Sequence, residues 1–264
     1  MQNRHIDRKR YFDELAKTSE EFYIDYLKPY KNIGPGCKVL EIGCGEGGNL
    51  LPFAQAGCKV AGLDLAAGKI DNARKFFATL ETEGEFACAD FLKTNPFEND
   101  GLFDIILIHD VIEHIEPEGK DAFFERLKMY LKPDGIIFFA FPAWQMPFGG
   151  HQQICRSKVC SKVPFMHVLP VFMYKAWLKL FGEQKDKIDE LLSIKRSRMT
   201  PEKFEKLCAG HGYGIKDRIF WFFSPHYKTK FNLTPRRLWK PLAHIPYLRN
   251  WFTTSCFYLI EESK

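Results

Sequence analysis

A short apolar run, Val39-Leu40-Glu41-Ile42, stops abruptly at Gly43-Cys44-Gly45-Glu46-Gly47-Gly48. An apolar segment this short, bounded by glycines, reads as a buried strand, because a strand covered on both faces shows no polar alternation. The glycines let the backbone leave it sharply and enter a helix that runs to residue 56 and stops at Gly57. Further strands are expected at residues 59–65, 85–90, 103–108 and 136–141, with helical stretches at 66–79, 111–115 and 120–131 and a turn at Pro133-Asp134-Gly135. Another helical stretch covers roughly residues 10–30. Strands alternating with helices in this way predict a doubly wound Rossmann-like α/β fold, a mostly parallel sheet with helices on both faces.

After Pro142 the rhythm changes. Residues 144–161 read as loop and 172–194 as a helical insertion with a bulky apolar face. Thr200-Pro201 places an N-cap before a proline at the first helical position, and that helix ends at Gly210 or Gly212. Residues 213–223 and 251–260 read as two late strands, joined by a basic stretch marked with prolines.

Gly43, Gly45 and Gly48 stand where a ligand can approach backbone with no Cβ in its way. Taken alone the run is ambiguous, since it fits both E-x-G-x-G-x-G and the dinucleotide pattern G-x-G-x-x-G, and a tight turn would also use glycines. Asp64 ends the second strand, 19 residues after Gly45, where a carboxylate accepts hydrogen bonds from ribose hydroxyls. Asp90 ends the third strand and is followed by Phe91. That pair suits an adenine, the acid taking its amino group and the aromatic packing on its ring. Each aspartate is also an ordinary turn former; three adjacent strand ends bearing suitable groups point together to an adenosine.

The run at residues 39–47, then Asp64, Ala89-Asp90-Phe91, residues 103–106 with 111–115, and residues 131–135 resemble, in order, the motifs of class I S-adenosylmethionine-dependent methyltransferases. Asp134 departs from a glycine usual in that turn. The resemblance covers roughly residues 11–141 and implies a seven-stranded sheet whose last strand is antiparallel. It also implies S-adenosylmethionine as cofactor and S-adenosylhomocysteine as product. Glu41, Gly43, Cys44 and Gly45 would hold the cofactor, with Asp64 and Leu65 at its ribose, Asp90 and Phe91 at its adenine, and His109 at its methionine end. The chain then reads as one methyltransferase domain over residues 1–264. Within it, 38–142 is the cofactor-binding core, 143–198 a substrate-side loop and helical insertion, and 199–264 a C-terminal helix with the last two strands.

The sulfonium activates its own methyl, so a base is needed only where the acceptor loses a proton. His151, in the loop Gly149-Gly150-His151 after strand five, is the candidate catalytic residue, with glycines expected to let that loop reach over the cleft. A helix starting at Asp110 would set Asp110, Glu113 and His114 on one face. This patch resembles the divalent-metal site of some O-methyltransferases, among them ubiquinone-pathway and small-RNA 2′-O-methyltransferases, although those usually carry Glu at the first position. A metal is therefore the minor alternative. Trp144, Phe148, Phe165, Trp177 and Phe181 are candidates for an apolar lid, or simply for core. No Asn-Pro-Pro-Tyr or Asp-Pro-Pro-Tyr element follows strand four, which tilts the acceptor toward oxygen.

Charge divides the chain. Residues 1–150 carry 17 basic and 24 acidic side chains, whereas residues 151–264 carry 21 and 9. A basic C-terminal part fits an anionic small molecule, glycan or lipid-linked acceptor, or a merely solvated surface. RNA is the alternative acceptor, although no separate RNA-binding module is visible. A NAD-dependent oxidoreductase would share Gly43, Gly45, Gly48 and Asp64 but not the later motifs, and a non-catalytic S-adenosylmethionine-binding protein would keep them all. Eight scattered cysteines without a C-x-x-C pair indicate reduced thiols and a cytoplasmic protein. Residues 1–10 are too charged for a secretion signal, and the apolar stretch 163–174 is too short to cross a bilayer.

Overall fold

A computed structural model describes residues 7–98 and 101–263. The charged N-terminus read against a secretion signal lies mostly outside them. The chain opens with α1 (Arg8–Thr18), capped by the Asp7 carboxylate, and passes through a π-helical turn (Ser19–Tyr23) into α2 (Ile24–Leu27). There follow β1 (Lys38–Ile42), α3 (Leu51–Gln55), β2 (Lys59–Asp64), α4 (Ala67–Thr79), β3 (Glu85–Cys88) and β4 (Phe103–His109). Next come α5 (Lys120–Leu127), β5 (Leu131–Phe141), α6 (Val171–Leu180), α7 (Lys185–Ser197) and α8 (Pro201–Gly210). The chain closes with β6 (Tyr213–Phe223), α9 (His226–Phe231), β7 (Arg236–Arg237), α10 (Lys240–Ala243) and β8 (Ser255–Glu262).

The strands form one sheet in the order β3-β2-β1-β4-β5-β8-β6-β7. β1 to β5 run parallel, and β8 lies antiparallel between β5 and β6. Chain order reverses between β1 and β4, so the crevice beyond their carboxyl ends is where an open α/β sheet takes its ligand. Side-chain alternation divides the core between two faces. Leu40, Ile106, Phe139, Phe204 and Tyr258 bury on one, Val39, Phe53, Phe138 and Phe257 on the other. Tyr174, Leu178, Ile188 and Leu191 form a third apolar cluster inside the insertion.

Several local expectations are corrected. The sheet has eight strands, because the two-residue β7 pairs with the outer edge of β6. The stretch after the glycine turn is a 3-10 turn, Gly48–Leu50, plus the short α3. The helix expected at 120–131 stops at Leu127, and β5 begins at Leu131. Its pairing with β4 jumps from Phe103↔Leu131 to Ile105↔Ile136, so the expected turn at 133–135 survives as a bulge, since Pro133 has no N–H for the ladder. The insertion holds two helices rather than one, broken at residues 181–184. The last strand starts at Ser255, because Arg249–Phe252 coil into a 3-10 turn. Residues 111–115 form a turn and no helix.

Candidate active site

The turn after β1 is built by three left-handed glycines, Gly43, Gly45 and Gly47. Gly43 N and Cys44 N both donate to Leu63 O, at 2.8 and 3.0 Å, folding the turn over the end of β2. A Cβ on Gly43 would stand 2.4 Å from Val111 Cγ2, whereas one on Gly45 would meet nothing closer than Lys69 Cδ at 4.0 Å. Close packing thus requires the first glycine, and the second faces open space.

Asp64 closes the cradle from β2. Its Oδ2 accepts from Gly45 N at 3.0 Å and its Oδ1 from Ala66 N at 2.8 Å, with Lys69 Nζ 3.6 Å away. Leu65 beside it is 73 % exposed. Ala89 N donates to Asp64 O at 3.1 Å, which sets the end of β3 next in the row. Asp90 comes after it, with Oδ1 accepting from Leu92 N and Oδ2 3.0 Å from Lys93 Nζ. The Lys93 bond is the main reason its carboxyl is held below the usual range. Phe91 does not face the row. It is buried in the core, 4.9 Å from the Phe123 ring and 5.2 Å from that of Tyr130, so it offers no ring to an adenine and the expected stacking is corrected.

Glu41, on β1, is buried beneath the turn. Asn49 Nδ2 donates to its Oε1 at 2.6 Å, while Oε2 and Asn49 Oδ1 have no hydrogen-bond partner among the described residues. Burial pushes its carboxyl up to about 8 against the pull of Asn49. Two orphaned acceptors beside a turn whose second glycine is open are the complement of a ligand ammonium, as the amino acid end of S-adenosylmethionine would supply. Cys44 is buried under the same turn. Neither Asn49 nor Glu46, a buried acid 3.4 Å from Arg8 Nε, stands out in the sequence.

His109 ends β4, its ring 5.8 Å from the buried Tyr23 and its Nε2 3.8 Å from Asp110 Oδ2. Asp110 adopts a left-handed backbone, φ +53°, and its N donates to Ala140 O at 2.8 Å. Burial opposes its ionisation, but the imidazoles of His109, His151, His226 and His114 hold its carboxyl below the usual range. Lys120 Nζ pins the next turn, donating to Ile112 O at 2.6 Å, Ile115 O at 2.8 Å and Ser197 Oγ at 2.9 Å. The turn brings Glu113 and His114 to His151. Glu113 Oε1 lies 3.5 Å from His151 Nε2, and the two imidazoles meet edge to face at 4.9 Å. Burial, then the charge of Asp110, raises the Glu113 carboxyl. Burial, then His114, lowers His151 to about 3.

Gly149 and Gly150 serve close packing rather than reach. A Cβ on either would stand 2.2 Å from Trp144 O or from His167 Cβ. His226 is another residue that the sequence alone does not mark. It comes from α9, which packs on α1 through Thr18, the Thr18 hydroxyl lying 3.4 Å from His226 Nδ1 and 3.1 Å from Thr229 Oγ1. A cavity of about 590 Å³ lies between Met146, Phe148 and Lys162 on one side and Tyr227, Lys230 and Phe231 on the other. Its walls come from the segments that carry His151 and His226. A larger cavity of about 950 Å³, at the amino-terminal ends of β2 and β3, touches none of these groups. The five aromatics expected as one lid do not form a single group, although Trp177 and Phe181 meet. Trp144 packs on His167, Phe165 on Trp251, Trp177 on Tyr174 and Phe181, and Phe148 alone lines the 590 Å³ cavity.

Glu113, His114 and His151 offer three ligand atoms within 4.8 Å of one another. Two neutral imidazoles and a carboxylate suit a divalent first-row cation, and both Glu113 oxygens lack a hydrogen-bond partner among the described residues. These residues fit a metal, though not as the helical face of Asp110, Glu113 and His114 expected from spacing.

Residues 39–135 match a family model described as a methyltransferase domain. The chain is 29 % identical over 211 residues to Phosphoethanolamine N-methyltransferase 1 of Zea mays, covering 74 % of this chain and 40 % of that protein. It is 32 % identical over 123 residues to Ubiquinone biosynthesis O-methyltransferase of Actinobacillus pleuropneumoniae, covering 44 % of this chain and 50 % of that one. The chain thus spans half or less of these curated relatives. A solved S-adenosylmethionine-dependent methyltransferase from Clostridium acetobutylicum superposes with a TM-score of 0.59 at 13 % identity, over 94 % of this chain and 92 % of that one. Magnesium protoporphyrin IX methyltransferase from Synechocystis, with bound S-adenosylhomocysteine, does so at 0.55 and 16 %, over 95 % and 84 %. At such identities the likeness is one of fold.

Proposed function

We propose, because residues 39–135 match a methyltransferase domain and the fold is that of S-adenosylmethionine-dependent methyltransferases, that the chain transfers the cofactor's methyl group to an oxygen of a small-molecule, glycan or lipid-linked acceptor bearing an anionic group. When bound, S-adenosylmethionine supplies an activated methyl and its own leaving group. The protein's tasks are then alignment and proton removal. Gly45, Asp64 and Asp90 are assigned to the adenosine, and Glu41 with Asn49 to the ammonium. His109 is assigned to the methionine end, and the cavity beside Phe148 and Tyr227 to the acceptor, with Lys162 and Lys230 for its anionic group.

A hydroxyl acceptor must lose its proton as the methyl arrives, whereas a carboxylate has none to lose. His151, kept neutral by burial, takes that proton; the Asp110 carboxylate favours the imidazolium, with Glu113 Oε1 lying 3.5 Å from His151 Nε2. This pair, at the carboxyl edge of the sheet, is the observation that carries the reading. The test is transfer of labelled methyl into separate metabolite, glycan, lipid and RNA pools. His151→Ala is expected to lower kcat by about 100-fold or more, the usual worth of a positioned base, with affinity for S-adenosylhomocysteine unchanged. Label entering only RNA or only an amine would replace the acceptor class.

A divalent cation is a second reading, favoured by the three ligand atoms of Glu113, His114 and His151 within 4.8 Å of one another. Glu113, His114 and His151 would hold it, and it would polarise the acceptor oxygen. Transfer that falls with chelator and returns with added metal would support it. The compartment is read as cytoplasmic, in keeping with eight free cysteines, of which only Cys88 is exposed.

A further inference from the structure

The insertion carries an apolar surface that the methyl-transfer reading does not use. On α6, Tyr174 and Leu178 turn into the insertion's own core, while Phe172 is 74 % and Leu180 78 % exposed, with Lys175 and Lys179 exposed beside them. A second exposed apolar group is Tyr247, at 66 %, with Leu248 and Trp251. Two features join it to the segment that leads into α6. Phe165 meets Trp251 with ring centroids 5.9 Å apart, and a cavity of about 720 Å³ takes walls from Val168, Leu169 and Pro170 as well as from Tyr247.

That cavity is cationic. Lys195, Arg198, Lys203 and Lys206 line it, and among the described residues none of the four is ion-paired. Lys195 is buried and bonded only to carbonyls, His167 O and Leu169 O, both at 2.7 Å. Glu202, the one carboxylate in the wall among the described residues, is already taken by Tyr247 N at 3.0 Å, Asn250 Nδ2 at 2.8 Å and Arg249 at 3.1 Å. Mutual repulsion with Arg198 adds to burial in lowering both Lys195 and Lys203. The cavity therefore calls for an anion, and its rim calls for hydrocarbon.

We propose that this face docks on the surface of a bilayer containing anionic phospholipid, with a headgroup phosphate in the cavity lined by Lys195 and Lys206, and with Phe172, Leu180 and Tyr247 entering the acyl boundary. Exposed aromatic and aliphatic side chains flanked by lysines are the composition of a segment that lies in the membrane interface. Among the described residues no helix is long and apolar enough to cross a membrane, so docking would be peripheral. The proposal does not depend on the identity of the acceptor.

The test is co-sedimentation of the full chain with vesicles of phosphatidylcholine alone or mixed with phosphatidylglycerol, read beside S-adenosylhomocysteine affinity as a check of folding. Binding is expected to the mixed vesicles, weakly if at all to neutral ones, and to fall with added salt. Phe172→Ser with Leu180→Ser, and separately Lys203→Glu with Lys206→Glu, should each weaken it by about ten-fold or more while cofactor affinity stays constant. Equal binding to both vesicle types, or double variants that bind like the parent, would overturn the proposal. So would a dimer lost with Phe172→Ser/Leu180→Ser, binding of glycerol 3-phosphate without vesicles, or RNA binding without vesicles, since each assigns the face to another occupant.

Discussion

Gly45 donates its amide hydrogen to Asp64 Oδ2 at 3.0 Å, so the turn after β1 and the end of β2 form one unit. With Oδ1 held by Ala66 N at 2.8 Å, the carboxylate is fixed in orientation. Asp64→Ala is expected to weaken S-adenosylhomocysteine binding by about ten-fold or more through lost charge-assisted hydrogen bonds. Unpairing two backbone amides should also cost about 1–3 kcal/mol of stability. Calorimetry on the folded variant reads the first effect, and unchanged affinity would contradict the ribose assignment.

Gly43 and Gly45 make a paired test, since both have positive φ but only one has a neighbour in the way. Gly45→Ala should cost about 1 kcal/mol of stability, the strain of a left-handed alanine, and reduce cofactor affinity disproportionately. Gly43→Ala must also displace Val111 and should cost roughly 2–4 kcal/mol. Urea denaturation separates them; a Gly45→Ala protein that binds cofactor like the parent would remove the approach assigned to that turn.

Lys120→Met removes a buried ammonium that joins Ile112 O, Ile115 O and Ser197 Oγ. Three acceptors lose their donor, for an expected loss of about 3 kcal/mol. The turn bearing Glu113 and His114 should loosen with it, so methyl transfer should fall while S-adenosylhomocysteine affinity holds. Equal losses of both would show that Lys120 supports the whole fold and not this turn.

His167 gives a pH test. Burial lowers its imidazole to about 4, against a hydrogen bond to Trp144 O. A depressed histidine contributes stability present above its unfolded value of about 6.5 and lost as pH falls toward its folded value. Between pH 7 and pH 5 the parent should lose roughly 2 kcal/mol relative to His167→Gln, which has no such proton to exclude. Parallel stability curves for the two proteins across that range would contradict this.

The strands were legible because β1, β2, β4 and the second half of β5 are short apolar runs ended by Gly, Asp or Pro, and the row of Gly45, Asp64 and Asp90 because glycines and acids recur at their ends. The segments leaving the strands were less legible. Asp110-Val111-Ile112-Glu113-His114 has helical spacing, yet Asp110 is left-handed and Lys120, from outside the stretch, fixes a turn. Phe91 comes after an acid at a strand end, but whether an aromatic turns to a ligand or to Phe123 depends on packing from α5. His226 carries no local signal, because a contact between α9 and α1 brings it to Asp110.

Calorimetric titration of the full chain with S-adenosylhomocysteine, beside an identical titration with NADH, bears on the adenosine cradle with the fewest assumptions. Saturable one-site binding of S-adenosylhomocysteine, with no heat from NADH, is the expected result. A folded chain that binds NADH, or that leaves S-adenosylhomocysteine unbound, would contradict it.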